Sequence, residues 1–177
     1  MVIRPLAALV LVLALAGCTP AVEAPLPAPT LTPVATVLNP DLVPMSLGVV
    51  TEANAAAEGN RIGDAFEGLI DPASIINISD ASQLAPAADD LPPYYVVYRT
   101  YTLDPAVDPL ALAQTITAIA LKSGWTSYDE TNDNGQYLSA LSGGPTEAPW
   151  FALIGGDASI TGQSVITFQI ASPDVVA

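Results

Sequence analysis

Tyr94-Tyr95-Val96-Val97-Tyr98-Arg99-Thr100-Tyr101-Thr102-Leu103 is the stretch whose reading decides the fold. Tyrosine, valine and threonine suit a pleated, half-buried backbone, so these ten residues read as a strand. Successive side chains leave a strand on opposite sides. Tyr94, Val96 and Tyr98 therefore fall on one face, and Tyr95, Val97, Tyr101 and Leu103 on the other. Apolar residues on both faces place the strand in the middle of a sheet.

Downstream, Asp108-Pro109 opens a helix, with the aspartate as N-cap and the proline in the first helical position. The pattern runs to Ser123 and stops at Gly124, with Lys122 in the last turn, where a cation complements the helix dipole. Leu112, Ile116, Ile119 and Ala120 form its apolar stripe. Trp125–Glu130 and Gln136–Leu141 then flank Asn134-Gly135, a pair suited to a type I′ turn because both central residues need positive φ. After a Gly-Pro loop, Trp150–Ile154 and Ser164–Ala171 read as two further strands. Upstream, 80–93 reads as a loop and Ser74–Ile78 as a short strand. Residues 51–70 read as a helix with Ile62, Phe66, Leu69 and Ile70 on one face, in which Gly59, Gly63 and Gly68 each cost about 1 kcal/mol against alanine. The sum is an α+β domain over 48–177, an antiparallel sheet with helices packed on one face.

Before it, residues 18–47 are rich in proline and alanine. Seven prolines between 19 and 47 forbid helix, so the tract reads as a semi-extended tether, reaching about 30 Å as a coil and about 90 Å as polyproline II. Its apolar later half, around Val34–Val43, allows a second reading as an arm laid along the domain. Residues 1–17 carry Arg4, an apolar run from Leu6 to Leu15 and small residues before a cut, which is a secretory signal pattern. That run is too short to span a bilayer, which takes roughly 20 residues. Leu15-Ala16-Gly17-Cys18 resembles the lipobox of bacterial lipoproteins, and Cys18 is the single cysteine of the chain. The resemblance implies that Cys18 carries acyl chains such as palmitate and becomes the mature N-terminus. It also implies an extracytoplasmic domain anchored to the outer face of the cell membrane, or a periplasmic or outer-membrane one in a Gram-negative host. Thr19 stands where an aspartate can mark inner-membrane retention in Gram-negative lipoproteins.

Charge narrows the partners. The net charge is −14; all 18 acidic residues follow Cys18, and only Arg61, Arg99 and Lys122 among the bases do. Nucleic acid is excluded as a partner, since phosphate neutralisation needs clusters of lysine and arginine. Anionic headgroups repel such a domain, and self-repulsion favours a monomer. With Cys18 acylated no disulfide forms, so the core alone holds the fold.

Chemistry is narrowed too. The chain has no histidine, which removes serine–histidine and cysteine–histidine catalysis and imidazole zinc sites. No nucleophile elbow, SxxK, P-loop or dinucleotide fingerprint occurs. Asp129, Glu130 and Asp133 beside Gly135 invite a calcium reading. An EF-hand register with Gly135 at its sixth position would put Glu130 first and Leu141 twelfth, and neither fits, so a solvated turn is the plainer reading. Asp89-Asp90 offers one half of a glycosidase pair or simply a solubilising loop.

Aromatic side chains on strands are the other candidates: Tyr94, Tyr98, Trp125, Tyr128 and Trp150 form a possible ligand face, against the simpler reading that most belong to the core. The expectation is a lipid-anchored envelope lipoprotein whose domain binds an envelope protein, glycan or small ligand without catalysis, resident metal or cofactor. The alternative is an envelope hydrolase using paired carboxylates, with or without calcium.

Overall fold

The computed structural model describes residues 39–87 and 92–176. The signal and lipobox residues Leu15, Ala16, Gly17 and Cys18, and the Asp89-Asp90 pair, lie outside them. Within them a seven-stranded antiparallel sheet carries most of the structure, with two α-helices, so the domain is of α+β type but mostly β. The strands are β1 (Ile75–Asp80), β2 (Gln83–Ala85), β3 (Tyr94–Leu103), β4 (Thr126–Asp133), β5 (Gln136–Gly143), β6 (Trp150–Asp157) and β7 (Ser164–Asp174). Their order is β1-β3-β7-β6-β5-β4, with β2 also paired to β3.

β3 has the bounds its composition predicts and lies between β1 with β2 on one side and β7 on the other. Val97, Tyr101 and Leu103 are buried, whereas Tyr98 stays 40% exposed. β2 is the element the sequence does not announce: the 80–93 stretch is not all loop, because Gln83–Ala85 pair with Tyr94–Val96. Three residues are too few to show an alternation. β6 and β7 run to Asp157 and Asp174, three residues beyond their sequence limits. Asn134 and Gly135 take φ of 52° and 77°, as the type I′ turn requires.

Helix α1 (Glu52–Glu67) starts at a reciprocal cap: Thr51 Oγ1 accepts from the Asn54 amide, and Asn54 Oδ1 accepts from the Thr51 amide at 2.8 Å. Its glycines have a use beyond their propensity. A Cβ at Gly59 would lie 3.1 Å from Val97 Cγ2, and one at Gly63 would lie 3.2 Å from Val97 Cγ1. Bare backbone lets the helix come close to β3, and Ile62 and Phe66 complete the contact.

Helix α2 (Pro109–Lys122) is capped by Asp108, whose Oδ1 accepts from the amides of Leu110 at 3.0 Å and Ala111 at 3.2 Å. Ile116 and Ala120 are fully buried as expected, but Ala113 and Thr117 join them, while Leu112 and Ile119 are only half-buried. The stripe is turned toward its small residues, since Ala113 Cβ lies 3.1 Å from where a side chain on Gly156 would begin.

Six aromatic rings lie in the core, those of Phe66, Tyr101, Trp125, Tyr137, Trp150 and Phe168. Phe66 lies 5.3 Å from Phe168 and 6.1 Å from Trp125, and Tyr101 lies 5.5 Å from Phe168. Trp150 is 1% exposed.

The last residues of the proline-rich tract pack on this domain. Leu42, in a short 3-10 turn over Pro40–Leu42, is fully buried, and its carbonyl accepts from Trp125 Nε1 at 2.7 Å. Glu58, 2% exposed, accepts from the Met45 amide at 2.7 Å and from Arg61 Nε at 2.7 Å. The same Arg61 donates to the carbonyls of Asp41 and Val43. That hydrogen bond from Arg61 to Glu58 raises the pKa of the guanidinium further. A buried carboxylate is thereby paired, and three carbonyl or amide groups of the arm are satisfied together.

Candidate functional site

Register sorts the aromatic residues. Across β3, β7 and β6, Val97 faces Ile170 and Ile170 faces Ala152; one pair along, Arg99 faces Phe168 and Phe168 faces Ile154. These side chains are buried. The alternate set, in which Phe151 faces Ala171 and Leu153 faces Gln169, is half-buried or exposed.

Of the five candidates, Trp125 and Trp150 are core residues, at 3% and 1% exposure. Tyr128 is 60% exposed and Tyr98 40%; Tyr94 is half-buried. A register shift between Ser127 and Asp129 makes Tyr128 the extra residue of a β-bulge, which re-aims its ring. The ring meets Phe151 edge to face, with centroids 6.2 Å apart and planes at 89°. This is a favoured aromatic geometry.

Tyr94, Tyr128, Phe151, Leu153, Gln169 and Asp174 line a groove of about 350 Å³. Asp174 is the register partner of Tyr94. Ser172 beneath them is already engaged, accepting from the Tyr95 amide at 2.9 Å and donating to the Pro173 carbonyl at 2.7 Å. A second hollow of about 530 Å³ shares Phe151, Ser172 and Asp174 with the groove and adds Glu147 and Val49. Among the described residues neither concavity is lined by a lysine or arginine. Phe151 and Asp174 were not singled out in the sequence. The alternation Trp150-Phe151-Ala152-Leu153-Ile154 carries the signal for Phe151, since inward residues occupy even positions.

The acidic stretch 129–133 lies on β4, a sheet edge exposed throughout. Side chains alternate there, so Asp129 and Asp133 leave the strand on the side opposite to Glu130. Asp133 accepts from Asn134 Nδ2 at 2.8 Å. Among the described residues no group of three or more acidic, histidine or cysteine side chains is placed to hold a metal ion. Charge and a bulge on an edge strand also discourage pairing with other chains.

A charged cluster invisible in the sequence sits further along β3, on the buried set of its side chains. Arg99, 8% exposed, donates to Asp64 at 2.7 Å, Asp80 at 3.1 Å, Glu67 at 3.3 Å and Asn60 at 3.2 Å. Tyr101 Oη donates to Glu67 at 2.9 Å. Burial alone would lower the Arg99 pKa, but the hydrogen bonds, Asp64 foremost, raise it above the ordinary value. The Asp80 carboxyl is held below its ordinary range, chiefly by the Ser82 hydroxyl and also by Arg99. Burial, then the bond to Glu67, pushes the Tyr101 hydroxyl up. These groups are committed to one another, which makes them structural.

Among the described residues no helix is long and apolar enough to cross a membrane. No family model matches the chain, and no curated protein does. Among solved structures it is similar to LpqN, described as involved in cell envelope biogenesis of Mycobacterium tuberculosis. The two are 15% identical over 59% of this chain and 74% of that one, with a TM-score of 0.34. A TM-score this low does not establish a common fold.

Proposed function

We propose that this is a lipid-anchored envelope lipoprotein whose domain works by binding, through the groove formed by Tyr94, Tyr128 and Phe151. The observation that carries the proposal is the exposed aromatic pair, Tyr128 with Phe151, beside a concavity on an otherwise ordinary sheet. Large apolar rings left in water are a feature of binding surfaces. We infer also that both helices cover one face of the sheet and leave this one open. Supporting that, α1 touches Val97, α2 touches Gly156, and the ladder from Val97 and Tyr101 through β7 to β6 puts those residues on the same side. The anchor rests on Leu15-Ala16-Gly17-Cys18. The −14 charge supports a soluble, monomeric domain held off anionic lipid.

One observation favours the hydrolase as a second reading: Glu147 and Asp174 line the same hollow, and two carboxylates at a set separation are what glycoside hydrolysis uses.

Both readings meet one experiment. A photo-reactive residue replaces Tyr128 or, as control, Met45, which is 53% exposed on the arm, and the full chain is irradiated in its own cells. An adduct at 128 and none at 45 is the expected result; equal yields would remove the groove. Turnover of cell-wall glycans abolished by Asp174→Asn would replace the binder with the enzyme. Cys18→Ala is expected to block processing and membrane retention. Wild-type protein recovered with residues 1–17 intact, or without acyl mass, would contradict the anchor.

A further inference from the structure

The chemistry around the groove narrows what it would hold. We infer that its ligand carries an organic cation, a quaternary or alkylated ammonium group, seated against the rings of Tyr94, Tyr128 and Phe151 beside Asp174. The inference rests on the groove being the binding site, as proposed above.

Three observations lead there. The first is the lining: three aromatic rings of one concavity, two of them at right angles, with a carboxylate as the single ionisable acid among them. The faces of such rings carry negative electrostatic potential and attract cations, and quaternary ammonium is the ligand class that walls of several rings accommodate best. The second is the placement of the bases. Arg61 is tied to Glu58, Arg99 to Asp64, Glu67 and Asp80, and Lys122 ends α2; none lines the groove or the adjoining hollow. Among the described residues an anionic ligand would meet no positive partner, and the chain's net charge is −14. The third is that same charge acting at range, since a strongly acidic molecule raises the local concentration of cations at its surface. A neutral ligand could stack on the rings and donate a hydrogen bond to Asp174, but would gain nothing from the negative potential that the ring faces and the carboxylate share.

The volume agrees. A groove of about 350 Å³ exceeds a single trimethylammonium group and leaves room for the segment that bears it. The neighbouring hollow, which shares Phe151 and Asp174, gives that segment a continuation.

The chain supplies its own controls for a test. It has three phenylalanines, of which Phe66 and Phe168 are fully buried and Phe151 is 42% exposed. The full-length chain labelled with 4-fluorophenylalanine therefore gives one reporter in the groove and two in the core. Choline and its neutral isostere 3,3-dimethylbutan-1-ol are the probes, followed by fluorine NMR. Choline is expected to move the Phe151 signal and leave those of Phe66 and Phe168 in place, with the isostere about tenfold weaker or more. Tyr128→Leu and Asp174→Asn, both at exposed positions, should each weaken choline about twofold to fivefold. Equal binding of choline and the isostere would overturn the cation while leaving the groove intact. A Phe151 signal unmoved by choline would overturn it as well, whatever the photo-adduct at position 128 shows.

Discussion

Trp150 and Phe151 are neighbours in the chain and opposites in the molecule. Trp150 is 1% exposed and packs where Gly59 of α1 leaves room; Phe151 is 42% exposed and meets Tyr128 over the groove. The same contrast repeats along the sheet. The buried set, Val97, Tyr101, Ile154 and Phe168, makes the core, while the alternate set, Tyr98, Phe151, Leu153 and Gln169, is left partly in water. Aromatic content alone therefore does not locate a ligand face. The two-residue period, read against which side is filled, separates the core aromatics from those left in water.

The largest effect expected comes from charging the buried side. Ile116→Asp places an unpaired carboxylate where exposure is zero, and the cooperative thermal transition should disappear. An unchanged melting curve would mean that α2 turns a different face to the sheet.

Arg99 tests the polar part of the same side. Arg99→Leu should cost about 1–2 kcal/mol, less than for a fully buried pair, because water reaches Asp64, Glu67 and Asp80. Urea melts would measure it. The Asp80 carboxyl is depressed in the folded state, so its contribution is present above the ordinary aspartate value, near 4, and is lost as pH falls through the lowered one. Asp80→Asn should flatten that acid limb.

A smaller, alkaline effect follows from Tyr101. Its hydroxyl holds its proton beyond the ordinary tyrosine range, through burial and then the bond to Glu67. The folded state keeps that advantage at every pH below about 10, and loses it as pH rises through the raised value. Tyr101→Phe should blunt the loss of stability above pH 10, and an unaltered alkaline profile would point to another group.

How much of this was legible depends on where each signal is stored. Asp108-Pro109, Gly124 and Asn134-Gly135 are local backbone chemistry, and the structure has them where the sequence does. Gly59 and Gly63 read as weaknesses of α1 because propensity does not see Val97, which lies more than thirty residues away. Arg99 gathers Asn60, Asp64, Glu67 and Asp80 from 19 to 39 residues away, and no spacing rule reaches that far. By residue type alone Trp125 and Trp150 group with the exposed aromatics, and only their burial separates them. The groove draws side chains from β3, β7, β6 and β4, with β5 lying between the last two, so only tertiary structure could assemble it.

Among the half-exposed side chains the expected effect on stability is small. Phe151→Ser should cost about 1 kcal/mol, mostly the edge-to-face contact with Tyr128. What it should remove is binding. The most direct measurement is the yield of the photo-adduct at position 128 in cells, compared between chains that also carry Phe151→Ser or Ile76→Ser. Ile76 is 64% exposed on β1, away from the groove lining. The adduct should be lost with Phe151→Ser and kept with Ile76→Ser; an adduct that survives Phe151→Ser, or that falls equally in both, would contradict the account.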